Sequence, residues 1–92
     1  MEKKIKMMAA SSVALQYLMS HQNSTDEEVM QDVANFIMEE NIKDDEIKFA
    51  MIAAATETYN IFMNSPKMTE KEYLKIVMEN IPKIINNSID QE

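Results

Sequence analysis

No glycine occurs anywhere in this chain of 92 residues, although average usage of about 7% would supply roughly six. Glycine reaches positive φ without steric cost, and several local structures depend on that freedom. A Walker-type phosphate loop, a dinucleotide-binding fingerprint and a calcium loop all need it where the backbone turns sharply or meets a ligand. Tight β-hairpins need it at the turn. The expected fold class is therefore all-α, with turns built from Asn, Ser, Asp and Pro.

The turns can be located. Polar interruptions at Ser20–Thr25, Asn41–Asp44 and Asn64–Thr69 divide the chain into four segments. Each interruption carries helix-start chemistry. Ser24 with Glu27 has capping-box spacing, and so does Thr69 with Glu72, an arrangement in which hydroxyl and carboxylate satisfy free backbone N–H groups at a helix start. Asp44 or Asp45 can cap the third segment, with further acids complementing the helix dipole. Asn41 and Asn64 stand where a helix would end in a left-handed residue, and Ile42 can fold back on Ile37.

Hydrophobic periodicity agrees with four helices at Lys3–Ser20, Asp26–Glu40, Asp45–Met63 and Glu70–Glu79. Pro82 lacks the N–H that would bond the Met78 carbonyl, which predicts a break there. A short fifth helix, capped by Asn80 and carrying Ile84, Ile85 and Ile89, is expected beyond it. Short loops favour antiparallel neighbours in a four-helix bundle. The expected core is Ile5, Leu15, Leu18, Val33, Phe36, Ile37, Met51, Ala54, Ile61, Phe62, Leu74, Val77 and Ile81, in one helical domain spanning residues 1–92.

Composition excludes much of the usual chemistry. Cysteine is absent, which removes disulfides, thiol nucleophiles and the common zinc cages and fits a cytoplasmic protein. Nine Lys and no Arg face 16 acids, for a net charge of −7. Direct nucleic-acid binding is not expected, because phosphate neutralisation and base readout rest on Lys and Arg. The single His21 has Leu18 three residues before it, so the Glu-x-x-His element of a carboxylate-bridged di-iron bundle is missing. No Ser is flanked by Gly in a nucleophile elbow. No catalytic residue, cofactor or metal ligand is assigned.

The N-terminal Lys3, Lys4 and Lys6 precede an uncharged run of 13 residues, Met7–Met19. That run is shorter than the roughly 20 residues of a membrane span, and it contains Ser11, Ser12 and Gln16. It is read as part of the first helix, with no membrane span.

Two segments are apolar on nearly every side: Met7–Met19, and Ile47–Met63, where Lys48 and Glu57 are the only charges. A small bundle can enclose one such helix but hardly two. The excess points to a homodimer, with Met7, Met8, Ser11, Leu15, Phe49 and Ala53 as its expected interface. The acidic cluster Glu39, Glu40, Asp44, Asp45 and Glu46 is the candidate docking patch for a basic protein partner. Ten methionines suit an adaptable binding surface. The leading expectation is a small acidic interaction or regulatory module without catalysis. The alternatives are an acidic inhibitor of phage or mobile-element origin, acting by nucleic-acid mimicry or by blocking a basic site, and a carboxylate-based enzyme.

Overall fold

The computed structural model describes residues 2–21 and 23–90, with side chains as far as Ile85. Four helices follow one another: α1 (Glu2–Ser20), α2 (Asp26–Glu39), α3 (Asp45–Asn64) and α4 (Glu70–Asp90). No strand is present among the described residues.

The starts of α3 and α4 are capped as their sequences predict. Asp44 Oδ1 accepts from the backbone N–H of Glu46 at 2.9 Å and of Ile47 at 3.3 Å. Thr69 Oγ1 accepts from Glu72 N at 3.2 Å while Glu72 Oε1 accepts from Thr69 N at 3.0 Å. At α2 the capping box lies one residue later than expected. Thr25 and Glu28 form it, not Ser24 and Glu27. The reason is that the nearly buried Ser24 hydroxyl is already engaged, donating to the His21 carbonyl in the turn after α1.

At the end of α2, Asn41 takes φ 56°. Its N–H donates to Met38 O at 3.1 Å and the N–H of Ile42 reaches back to Ile37 O at 3.3 Å, the bond pair of a Schellman ending. Asn64 does not repeat this. It is the last residue of α3, and Ser65 closes the helix at φ −144°.

The expected break at Pro82 is corrected as well. α4 runs continuously through it to Asp90, so no fifth helix is seen. Proline's fixed φ is compatible with a helix, and what it removes is one donor. Packing spans that position on the inner side: Val77 and Ile81 before it are buried, and Ile84 and Ile85 after it pack on the same cluster as Met7, Ala50 and Ala54.

α1 and α3 make the most extensive helix–helix contact, with α2 and α4 on either flank and not touching each other among the described residues. Lys3 reaches Glu46 at 2.8 Å and Ser11 reaches Ala54 at 3.3 Å, in each case 43 positions on. The central pair is therefore parallel. α3 and α4 are antiparallel: Asn80 bonds Glu57 at 3.0 Å, and the rings of Phe62 and Tyr73 stand 5.5 Å apart.

The facing surfaces of α1 and α3 are made of small residues, with Ala10, Ser11 and Ala14 on one and Ala50, Ala54 and Ala55 on the other, all buried. Small side chains let the two backbones approach closely. Leu15, Leu18, Val33, Ile37, Met51, Ala54, Phe62, Val77 and Ile81 lie in the core as expected, while Phe36, Ile61 and Leu74 are partly buried against it. Ile5 is not in the core but 65% exposed. It sits two residues from the buried Met7, about 200° around the helix, and so points outward. Tyr73, fully buried, takes a core place that its phenol made easy to overlook.

Candidate interaction surface

The interior face of α3 consists of Ala50, Met51, Ala54, Ala55, Thr58 and Phe62. The opposite side carries a second, exposed stripe. Phe49 is 73% exposed, Ile52 and Met63 are 42% exposed, Thr56 is exposed and Tyr59 is partly so. These five residues advance by steps of three, four, three and four, the spacing of the a and d positions of a coiled-coil seam. Ala53 and Asn60 lie beside them. All seven are uncharged. α2 borders one edge of this face, where Thr56 Oγ1 lies 3.8 Å from Met30 Sδ and Tyr59 packs on the core; the Phe49, Ile52 and Met63 side chains remain exposed among the described residues.

α2 extends the surface with Met38, 77% exposed. Two shallow depressions share Lys48 and Ile52. One, of about 330 Å³, is walled by Phe49 and Asp45. The other, of about 220 Å³, lies between Ala34, Ile37, Met38 and Ile42. A contiguous exposed apolar surface of this kind marks an interaction site more often than a catalytic one.

Of the residues expected at an oligomer interface, Met7, Ser11 and Leu15 are fully buried within the chain. They face α3 and its neighbours, so the apolar character of α1 is largely consumed internally. Phe49 is prominent on the surface, and Met8 and Ala53 are partly exposed. Sequence reasoning did not single out Ile52, Thr56, Tyr59, Met63 or Met38. The three–four spacing was the available signal, hidden because α3 carries an inner apolar stripe as well.

The acidic cluster is gathered at the α2–α3 turn. Three of its five members have lysine partners: Glu46 with Lys3 at 2.8 Å, Glu40 with Lys6 at 3.8 Å and Asp45 with Lys48 at 3.8 Å. Asp44 is occupied as the cap of α3. Glu39 makes no ion pair among the described residues. The cluster is thus partly neutralised from within the chain.

His21 lies exposed just past α1, its ring stacked on Tyr17 at 4.4 Å and its Nδ1 3.2 Å from the Tyr17 carbonyl. Among the described residues no group of three or more His, Asp or Glu side chains is placed to hold a metal ion, and no helix is long and apolar enough to cross a membrane. Two carboxylates sit below their ordinary range. Glu28 is held there by the hydrogen bonds from the Thr25 backbone and then its hydroxyl, and Glu72 by those from Thr69. Both shifts are consequences of helix capping.

Compared with protein-family models, with characterised proteins and with solved structures, the chain gives no match.

Proposed function

We infer that this chain is a small acidic interaction or regulatory module without catalysis, working as a homodimer through the outward face of α3. The observation that carries this reading is the uncharged stripe Phe49–Ile52–Thr56–Tyr59–Met63, exposed except at the partly buried Tyr59, on a helix whose other side already fills the core. Charged residues cost nothing on a solvated helix face, so an exposed face without them calls for a second function. Docking of a basic protein at the acidic turn is a weaker reading. Its support is the net charge of −7, and the lysine pairing of Glu40, Asp45 and Glu46 reduces the field available there.

Sedimentation equilibrium at micromolar concentration tests the homodimer. The expected mass is twice the 10.6 kDa of one chain. Phe49→Glu should return the monomer with an unchanged helical circular dichroism spectrum, since a side chain 73% exposed contributes little to the fold. A wild-type chain that stays at 10.6 kDa would reject the reading.

A further inference from the structure

We propose that the two copies pair antiparallel along α3, with Thr56 on the two-fold axis and Phe49 of each copy against the partner's Met63. This rests on the homodimer reading and specifies its geometry.

The occupant follows from area and spacing. Phe49, Ile52, Met63 and Met38, at their 73, 42, 42 and 77% exposures, leave about 470 Å² uncovered, taking roughly 200 Å² for each whole side chain. With the exposed Thr56 and Asn60 and the partly buried Ala53 and Tyr59 added, the face matches the smaller class of specific interfaces, below the roughly 800 Å² per partner of a standard one. An uncharged stripe with three–four spacing is best covered by another of the same kind, and a second copy of this chain supplies one.

The orientation follows from bulk. Phe49 and Met63 stand seven residues to either side of Thr56, about 21 Å apart along the helix. Phe49 protrudes far more than Met63. In a parallel pair both Phe49 rings would meet at one end and hold the helices apart there, leaving the lower Met63 end underpacked. The antiparallel pair matches each protruding ring with the lower thioether, a sulfur–aromatic contact that is itself favourable. Charge does not decide between the two orientations. Acids stand near both ends of the stripe, with Asp44, Asp45 and Glu46 at the start of α3 and Asp26, Glu27 and Glu28 at the start of α2. Lys48, beside Phe49, is already paired with Asp45. The helix dipoles add a smaller preference for the antiparallel pair.

The absence of native cysteine makes the test direct. Single variants Thr56→Cys, Phe49→Cys and Met63→Cys are oxidised mildly at low concentration, with Gln16→Cys at an exposed position of α1 as the collision control. Thr56→Cys alone, and a mixture of Phe49→Cys with Met63→Cys, should form covalent dimers at least about tenfold faster than the control, because the dimer raises the effective thiol concentration. Rapid self-coupling of Phe49→Cys and of Met63→Cys, with no gain on mixing, would overturn the antiparallel seam and leave the homodimer standing. Coupling no faster than the control, in a chain that sediments as a dimer, would move the interface off α3. A monomer in sedimentation would overturn both.

Discussion

Ser11 Oγ on α1 donates to the carbonyl of Ala54 on α3 at 3.3 Å, and Thr58 Oγ1 donates to the same carbonyl at 2.8 Å. A hydroxyl on so short a side chain reaches a neighbouring helix's backbone only where the two helices stand close. The alanines on both sides permit that approach, and it orders the whole arrangement of flanking helices.

Position 11 should therefore tolerate loss and resist gain. Ser11→Ala removes one of two side-chain donors to the Ala54 carbonyl and should cost about 0.5–1.5 kcal/mol. Ser11→Leu forces a large side chain into a full interface and should cost about 1–3 kcal/mol or more. Urea unfolding followed at 222 nm measures both, and equal tolerance of the two would contradict the close α1–α3 contact.

Tyr73 fastens the α3–α4 loop from inside the core. Its hydroxyl donates to the Ser65 carbonyl and accepts from the Met68 N–H at 3.3 Å. Tyr73→Phe keeps the ring against Phe62 but leaves both backbone groups unpaired, at a cost of about 1–3 kcal/mol. Thermal unfolding should register the loss, and hydrogen exchange at the Met68 amide should accelerate.

Pro82 costs α4 the donor to the Met78 carbonyl. Pro82→Ala restores it at an exposed position, so stability should rise by about 1–3 kcal/mol, with a gain in helical signal. A loss of stability on this change would mean that α4 depends on the proline's geometry.

Acid should loosen α2 and α4 at their starts. The Glu28 and Glu72 carboxyls lie lower in the folded chain than in the unfolded one because their ionised forms accept hydrogen bonds from Thr25 and Thr69. A depressed folded value means that the stabilisation is present above the unfolded value near 4.3. It is then lost as pH falls through the folded value. Melting temperatures taken from about pH 6 to pH 3 should fall, and the double variant Glu28→Gln, Glu72→Gln should fall less steeply. An unchanged slope in the double variant would remove these two groups from the acid response.

The chain alone determined what can be settled within a turn of helix. Without glycine, its segments are joined by capped turns; Asp44, the Thr69–Glu72 box and the left-handed Asn41 with Ile42 folded toward Ile37 could all be read in advance, because each satisfies its backbone partners within a few residues. Tertiary structure decided the rest. Ser24 lost the cap to Thr25 because its hydroxyl was needed in the turn behind it, and α4 passed through Pro82 because apolar packing continues on both sides of it. Met7, Ser11 and Leu15 were drawn inside by the small-residue contact between α1 and α3. That same contact separated the two apolar faces of α3, burying the one through Met51 and Thr58 and leaving the one through Phe49 and Met63 outside. Sequence periodicity records that both faces exist; only the packing of α1 decides which of them is left uncovered.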